Sequence, residues 1–181
     1  MKDSRGIGNR FENEICLVLS EWLAPELLPA SKRVVDYPFR RRTTSREPLE
    51  GHWEGKGDIL WRPDAICPFA IECKFGYGFD LDGLLNAPKW IAWSWWEQAK
   101  RQALPTQAHP LLIVSRARMH PVTFMLLETY ECLRLNERSE QTALIVQHPK
   151  AQPDILAIVP MFELIRTPLQ NVLAVGKLQR M

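Results

Sequence analysis

An α/β fold is the class this sequence predicts, and three patterns point to it. Residues 6–23 carry apolar side chains at helical spacing, several later runs are short and rich in Val, Ile and Leu, and a second helical pattern falls between two of those runs. The resulting order of helix, strand, hairpin, helix, strand, strand is that of an α/β protein. At 181 residues, with 46% hydrophobic and 24% charged side chains, the chain has the size and balance of one soluble domain.

In the first helix, Phe11, Ile15, Val18, Leu19 and Trp22 form a single stripe, and Pro25 and Pro29 end it. At roughly 100° per residue, Glu12 falls on the flank of that stripe beside Cys16, Leu19 and Leu23. Glu14 falls on the opposite flank with Glu21. Glu12 is therefore expected to be half buried and Glu14 to be solvated. Residues 33–37 read as a strand, and 38–56 as a long connection without periodicity, a kind that is usually functional or mobile. Neighbouring strands are expected at 57–61 and 67–74, joined through the turn Trp61-Arg62-Pro63-Asp64. Gly76, Gly78 and Gly83 interrupt the next segment, where Asp80 and Asp82 are candidate caps of a short helix.

The second helix, expected over 89–104, carries Trp90, Trp93, Trp95 and Trp96. Packing on the sheet is the commoner use of such large apolar side chains, and stacking on bases is the alternative. Two more strands are expected at 111–114 and 122–127, two at 142–146 and 155–159, and short helices at 161–165 and 169–172. Residues 1–128 read as the core unit, and 129–181 as a C-terminal α/β extension packed on the same domain.

The net charge of +2 says little about partners, but its distribution says more. Between residues 32 and 46, Lys32, Arg33, Arg40, Arg41, Arg42 and Arg46 face one acid, Asp36, a balance that suits a polyanion. No apolar run approaches the ~20 residues of a membrane span, and the first residues lack the apolar core of a signal peptide. Cys16, Cys67, Cys73 and Cys132 show no CxxC spacing, so reduced thiols in a cytoplasmic setting are expected.

The chemistry concentrates in Phe69-Ala70-Ile71-Glu72-Cys73-Lys74. On a strand Ala70, Glu72 and Lys74 share one face, while Phe69, Ile71 and Cys73 take the other. Asp58 opens the preceding strand, so two carboxylates and an amine converge. His52, His109, His120 and His148 are scattered. Carboxylate oxygens without His or Cys donors favour Mg²⁺ or Mn²⁺ over zinc. Such a cation binds a scissile phosphate and acidifies water, with Lys74 placed to orient that water or to stabilise charge on the phosphate. Taken alone, Glu72 and Lys74 are equally compatible with an ion pair on an exposed strand. The Gly-Asp strand start and the half-buried Glu12 favour the site.

Gly57-Asp58 followed by Glu72-Cys73-Lys74 resembles the PD-(D/E)xK nuclease signature, with Gly57 in place of the motif's Pro. Gly8-Asn9-Arg10-Phe11-Glu12-Asn13-Glu14-Ile15 is similar to the opening helix of archaeal-type Holliday junction resolvases and their phage relatives. In those proteins a Gly is followed four residues later by a Glu that joins the metal site, which maps onto Glu12. Arg42-Thr43-Thr44-Ser45 resembles the Arg-x-x-Ser loop they carry ahead of the first acidic strand. The resemblance covers residues 6–128 and implies a restriction-endonuclease-like mixed sheet flanked by helices. It also implies a metal held by Asp58, Glu72, the Cys73 carbonyl and, directly or through water, Glu12. Lys74 positions the attacking water, and Gln98 on the following helix lines the site. Arg40, Arg41, Arg42, Ser45 and Arg46 contact DNA. The implied activity is paired nicking of four-way junctions by a homodimer, leaving 5′-phosphates, in a prokaryotic or phage-infected cell. A PD-(D/E)xK endonuclease of restriction or repair type, and a non-catalytic DNA-binding relative, are the alternatives.

Overall fold

The protein is seen in a computed structural model that describes residues 4–30, 36–42, 53–55, 57–76, 91–137, 143–147 and 154–178. A five-stranded sheet of order β3-β4-β5-β7-β6 forms its centre. It comprises β3 (Phe69–Phe75), β4 (His109–Ser115), β5 (Val122–Leu126), β6 (Leu144–Gln147) and β7 (Ile155–Pro160). β3 and β4 run parallel, and the remaining neighbours are antiparallel. The sheet is therefore mixed, with helices on both faces, as a restriction-endonuclease-like fold requires. Its last two strands come from residues beyond 128, so the C-terminal third completes the sheet.

Strand alternation sorts the side chains into two cores. Phe69, Ile71 and Cys73 of β3, with Leu111 and Ile113 of β4, pack against Phe11, Ile15, Leu19 and Leu23 of α1 (Ser4–Leu23). Val172 and Val175 of α5 (Leu169–Leu178) join that layer. Leu112 and Val114 face the other way, onto Ala92, Trp93, Trp96 and Ala99 of α2 (Ile91–Ala103). Trp93 and Trp96 thus pack on the sheet, and Trp95 is half buried beside them, while Trp90 lies outside the described residues. Lys100 pairs with Asp154 at 2.6 Å, and the Trp96 indole N–H donates to the same carboxylate, tying α2 to the start of β7. Two short helices, α3 (Leu127–Cys132) and α4 (Met161–Leu164), follow β5 and β7. His109 is spent on packing: its ring bonds the Val175 carbonyl and the Thr129 hydroxyl.

Three expectations need correction. Of the strand expected at 33–37, residues 33–35 lie outside the described residues and Asp36 and Tyr37 are not strand, while a strand falls inside the supposed connection as β1 (Phe39–Arg41). Burial of Phe39 decides this, because its ring is fully enclosed against Trp61. β2 (Ile59–Trp61) pairs with β1 and does not form a hairpin with β3. The backbone N–H and C=O of Trp61 already bond Glu54, which leaves the link to β3 to one parallel bridge, Gly57 to Ile71. The run at 122–127 ends one residue early, and the chain then turns helical at Leu127. The candidate caps Asp80 and Asp82 lie outside the described residues.

Candidate active site

β3 is the edge strand of the main sheet, and the site forms along that edge. Its Glu72 side chain points toward α2 and is fully buried. Lys74 pairs with Glu72 Oε1, and the Gln98 amide donates to the same oxygen. Glu72 Oε2 is buried without a hydrogen-bond partner among the described residues. A surface ion pair would leave both carboxylate oxygens in water, so the bland reading of the Glu72 and Lys74 pattern does not describe this pair. An unsatisfied buried polar atom costs on the order of 1–3 kcal/mol, and more when the group is charged.

Asp58 is placed by backbone chemistry. Its N–H donates to the Ile71 carbonyl at 2.9 Å, and its carboxylate accepts the Cys73 N–H at 2.9 Å. The preceding Gly57 has φ +96°, and a Cβ there would collide with the Ile71 carbonyl. Proline, whose φ is fixed near −65°, cannot adopt that conformation, which accounts for glycine where the related signature has proline. Arg42 holds the same turn. Its Nε donates to Gly57 O at 2.9 Å, its Nη2 to Gly55 O at 3.3 Å, and its backbone N–H to Asp58 O at 2.8 Å.

Glu12 approaches from the opposite layer. It is half buried, as helical phase requires, whereas Glu14 is exposed. Burial, followed by the charge of Asp58, raises its pKa from 4.5 to about 7, against the opposing pull of Arg41 and Lys74. Burial and Asp58 also raise the pKa of Glu72, while Lys74 and the Gln102 amide lower it. Asp58 thus acts on both glutamates across the strand edge. Of the basic run, Arg41 lies 3.7 Å from Glu12 and donates to Asn9 at 3.2 Å. The Arg40 guanidinium stacks 4.2 Å over the Trp53 ring. Ser45 and Arg46 lie outside the described residues.

Sequence reasoning missed Gln102. It sits one turn beyond Gln98 on α2, acts to lower the pKa of Glu72 against the burial that raises it, and has a buried amide oxygen with no hydrogen-bond partner among the described residues. Its i, i+4 spacing from Gln98 was the available signal. Arg42's part in the Asp58 turn had no sequence signal, since it depends on a loop fold.

Acids that raise one another's pKa, with a buried orphan oxygen among them, form a donor set for a hard cation. Among the described residues no group of three or more His, Cys, Asp or Glu side chains stands ready to hold a metal ion. The residues fit a divalent cation held by one or two carboxylates together with water and substrate phosphate. The thiols offer no competing chemistry: burial pushes Cys16 and Cys67 up to about 12 and raises Cys73, so they stay protonated.

Residues 3–168 match the model of a family described as "Phage putative PDDEXK endonuclease". The chain belongs to this family. The match runs past residue 128 and takes in the strands β6 and β7 and the short helix α4. The family supports a nuclease of the PD-(D/E)xK type, with DNA as its substrate. Such nucleases generally use divalent metals. No curated protein and no solved structure matches the chain. Among the described residues no helix is long and apolar enough to cross a membrane.

Proposed function

We propose that this family member is a divalent-metal-dependent endonuclease that resolves four-way DNA junctions by paired nicks. The observation that carries the reading is Glu12. A helix carboxylate drawn into the Asp58 and Glu72 cluster goes beyond the bare PD-(D/E)xK pattern, and it is the feature that resembles the junction resolvases.

In this reading Asp58, Glu72 and the Cys73 carbonyl hold Mg²⁺, with Glu12 bound directly or through water, and Mn²⁺ substitutes. The ion neutralises phosphate charge and lowers the pKa of nearby water when bound. Lys74 orients the attacking water and offsets charge that builds on the phosphate oxygens. The water oxygen forms the new bond to phosphorus, the bond to the 3′ oxygen breaks, and that oxygen leaves as a hydroxyl after taking a proton. The products are a 5′-phosphate and a 3′-hydroxyl. Gln98 keeps Glu72 oriented for this role. Arg40, Arg41, Arg42, Ser45 and Arg46 supply phosphate contacts that weaken as salt rises. Two symmetric nicks require two sites, so the working form is a homodimer, and its setting is the cytoplasm of a prokaryotic or phage-infected cell.

The test compares a synthetic four-way junction, a linear duplex and a flap, each with Mg²⁺ or EDTA, using the intact chain and Glu72→Gln. Paired symmetric nicks on the junction alone, lost with Glu72→Gln, are expected. Equal cutting of linear duplex would sink junction selectivity and leave a general nuclease. Tight binding with no cutting in any metal would leave a binding module.

A further inference from the structure

The parallel pairing of β3 and β4 brings a second basic element to the catalytic end of the sheet. Lys74 pairs in register with Val114 and Phe75 with Ser115, and the Gly76 N–H donates to Ser115 O at 3.0 Å. Both strands therefore end at the same level, just past Lys74. The chain that leaves β4 there reads Arg116-Ala117-Arg118-Met119-His120. Arg116, Arg118 and His120 are exposed.

This turn is built to hold one shape. The Met119 N–H donates to Arg116 O at 3.1 Å, the Ser115 hydroxyl donates to Met119 O at 2.9 Å, and Met119 packs against the tryptophan core. Arg118 takes the left-handed conformation, φ +66°, which an arginine rarely adopts unless its surroundings impose it. In the sheet, β3 lies between this turn on the β4 side and the β1–β2 pair with Arg40 and Arg41 on the other. Arg116 is four register positions beyond the level of Glu72, or about 13 Å along the strand, a span of about four nucleotides of rise along one DNA strand.

We propose that Arg116 and Arg118 form a second phosphate-contacting element, which takes the DNA backbone on the β4 side of the cut. This rests on the reading of the site as a DNA nuclease. The contacts carry no sequence information, since guanidinium groups on a rigid turn reach phosphates and not base edges. They set how the duplex arm leaves the site.

The test measures DNA binding by full-length Glu72→Gln in EDTA, by fluorescence anisotropy over a salt series, on a junction and on a linear duplex. In that background Arg116→Gln/Arg118→Gln should weaken binding about equally on both DNAs. It should also lower the slope of log K against log salt by about one to two. Arg116→Lys/Arg118→Lys, which keeps the charges, should restore most of that slope. Arg134→Gln removes an exposed cation after α3, at the opposite end of the sheet, and should leave the slope as it was. An unchanged slope in the double Gln variant, against a steep slope in its parent, would overturn the proposal and spare the nuclease reading. A parent that binds no DNA at any salt would overturn both.

Discussion

Glu12→Gln should stabilise the metal-free protein at alkaline pH and do little near pH 5. In the native state burial and Asp58 hold the Glu12 pKa at about 7 instead of 4.5. Between those values the folded chain keeps a proton that the unfolded chain has lost, so stability falls as pH rises through the window and the full penalty applies above 7. A rise of this size corresponds to about 3 kcal/mol. The side chain is 20% exposed, so screening reduces this to about 2 kcal/mol. Glutamine abolishes the penalty and forfeits only the pair with Arg41, a long contact at 3.7 Å worth less than about 1 kcal/mol. The net gain of at least about 1 kcal/mol corresponds to a melting temperature raised by about 2–4 °C in a chain of this size. Thermal melts in EDTA at pH 5, 6, 7 and 8, on the intact chain, Glu12→Gln and Glu14→Gln, check it. A gap that widens with pH for Glu12→Gln alone is expected, and Mg²⁺ should narrow it by stabilising the clustered carboxylates. Parallel curves for all three proteins would refute the claim that Glu12 is held in an acidic, partly desolvated cluster.

The geometry makes three further outcomes testable. In cleavage assays Glu12→Gln should abolish activity while Glu14→Gln keeps it, and the reverse would mean that the helical phase is misassigned. Gly57→Ala should cost about 1–3 kcal/mol in a denaturant melt through its positive φ, and should also lose cleavage because Asp58 shifts; a variant as active and stable as the parent would contradict the close approach to Ile71. Arg42→Ala should lose about 2 kcal/mol with its two guanidinium bonds, and Lys should not replace it because it lacks the planar fork. Unchanged stability would contradict its clamp on the Asp58 turn.

Much of this architecture was legible because it rests on local periodicity. The α1 stripe separated Glu12 from Glu14 through a 3.6-residue repeat, and the two-residue repeat of β3 put Glu72 and Lys74 on one face and Ile71 and Cys73 on the other. Gln98 was reached only through the resemblance to the PD-(D/E)xK nucleases, since no repeat along the chain singles it out. β1 was missed because Arg40 and Arg41 mask a three-residue strand whose only strong signal is Phe39. The hairpin was wrong because strand partners are chosen by which backbone groups remain unpaired, and no local pattern reports that.

The sequence by itself determined the identities of the acids and the lysine, their faces, and the helix that brings a third carboxylate, since these follow from repeats along one chain. Only the tertiary structure decided that Glu72 is wholly buried with one oxygen unpartnered. It alone showed that Gly57 lies against Ile71, that Arg42 clamps the turn presenting Asp58, and that the turn after β4 begins just past the level of Lys74. Those facts depend on distances between segments far apart in the chain, and such distances are settled by the packing of the layers and the pairing of the sheet.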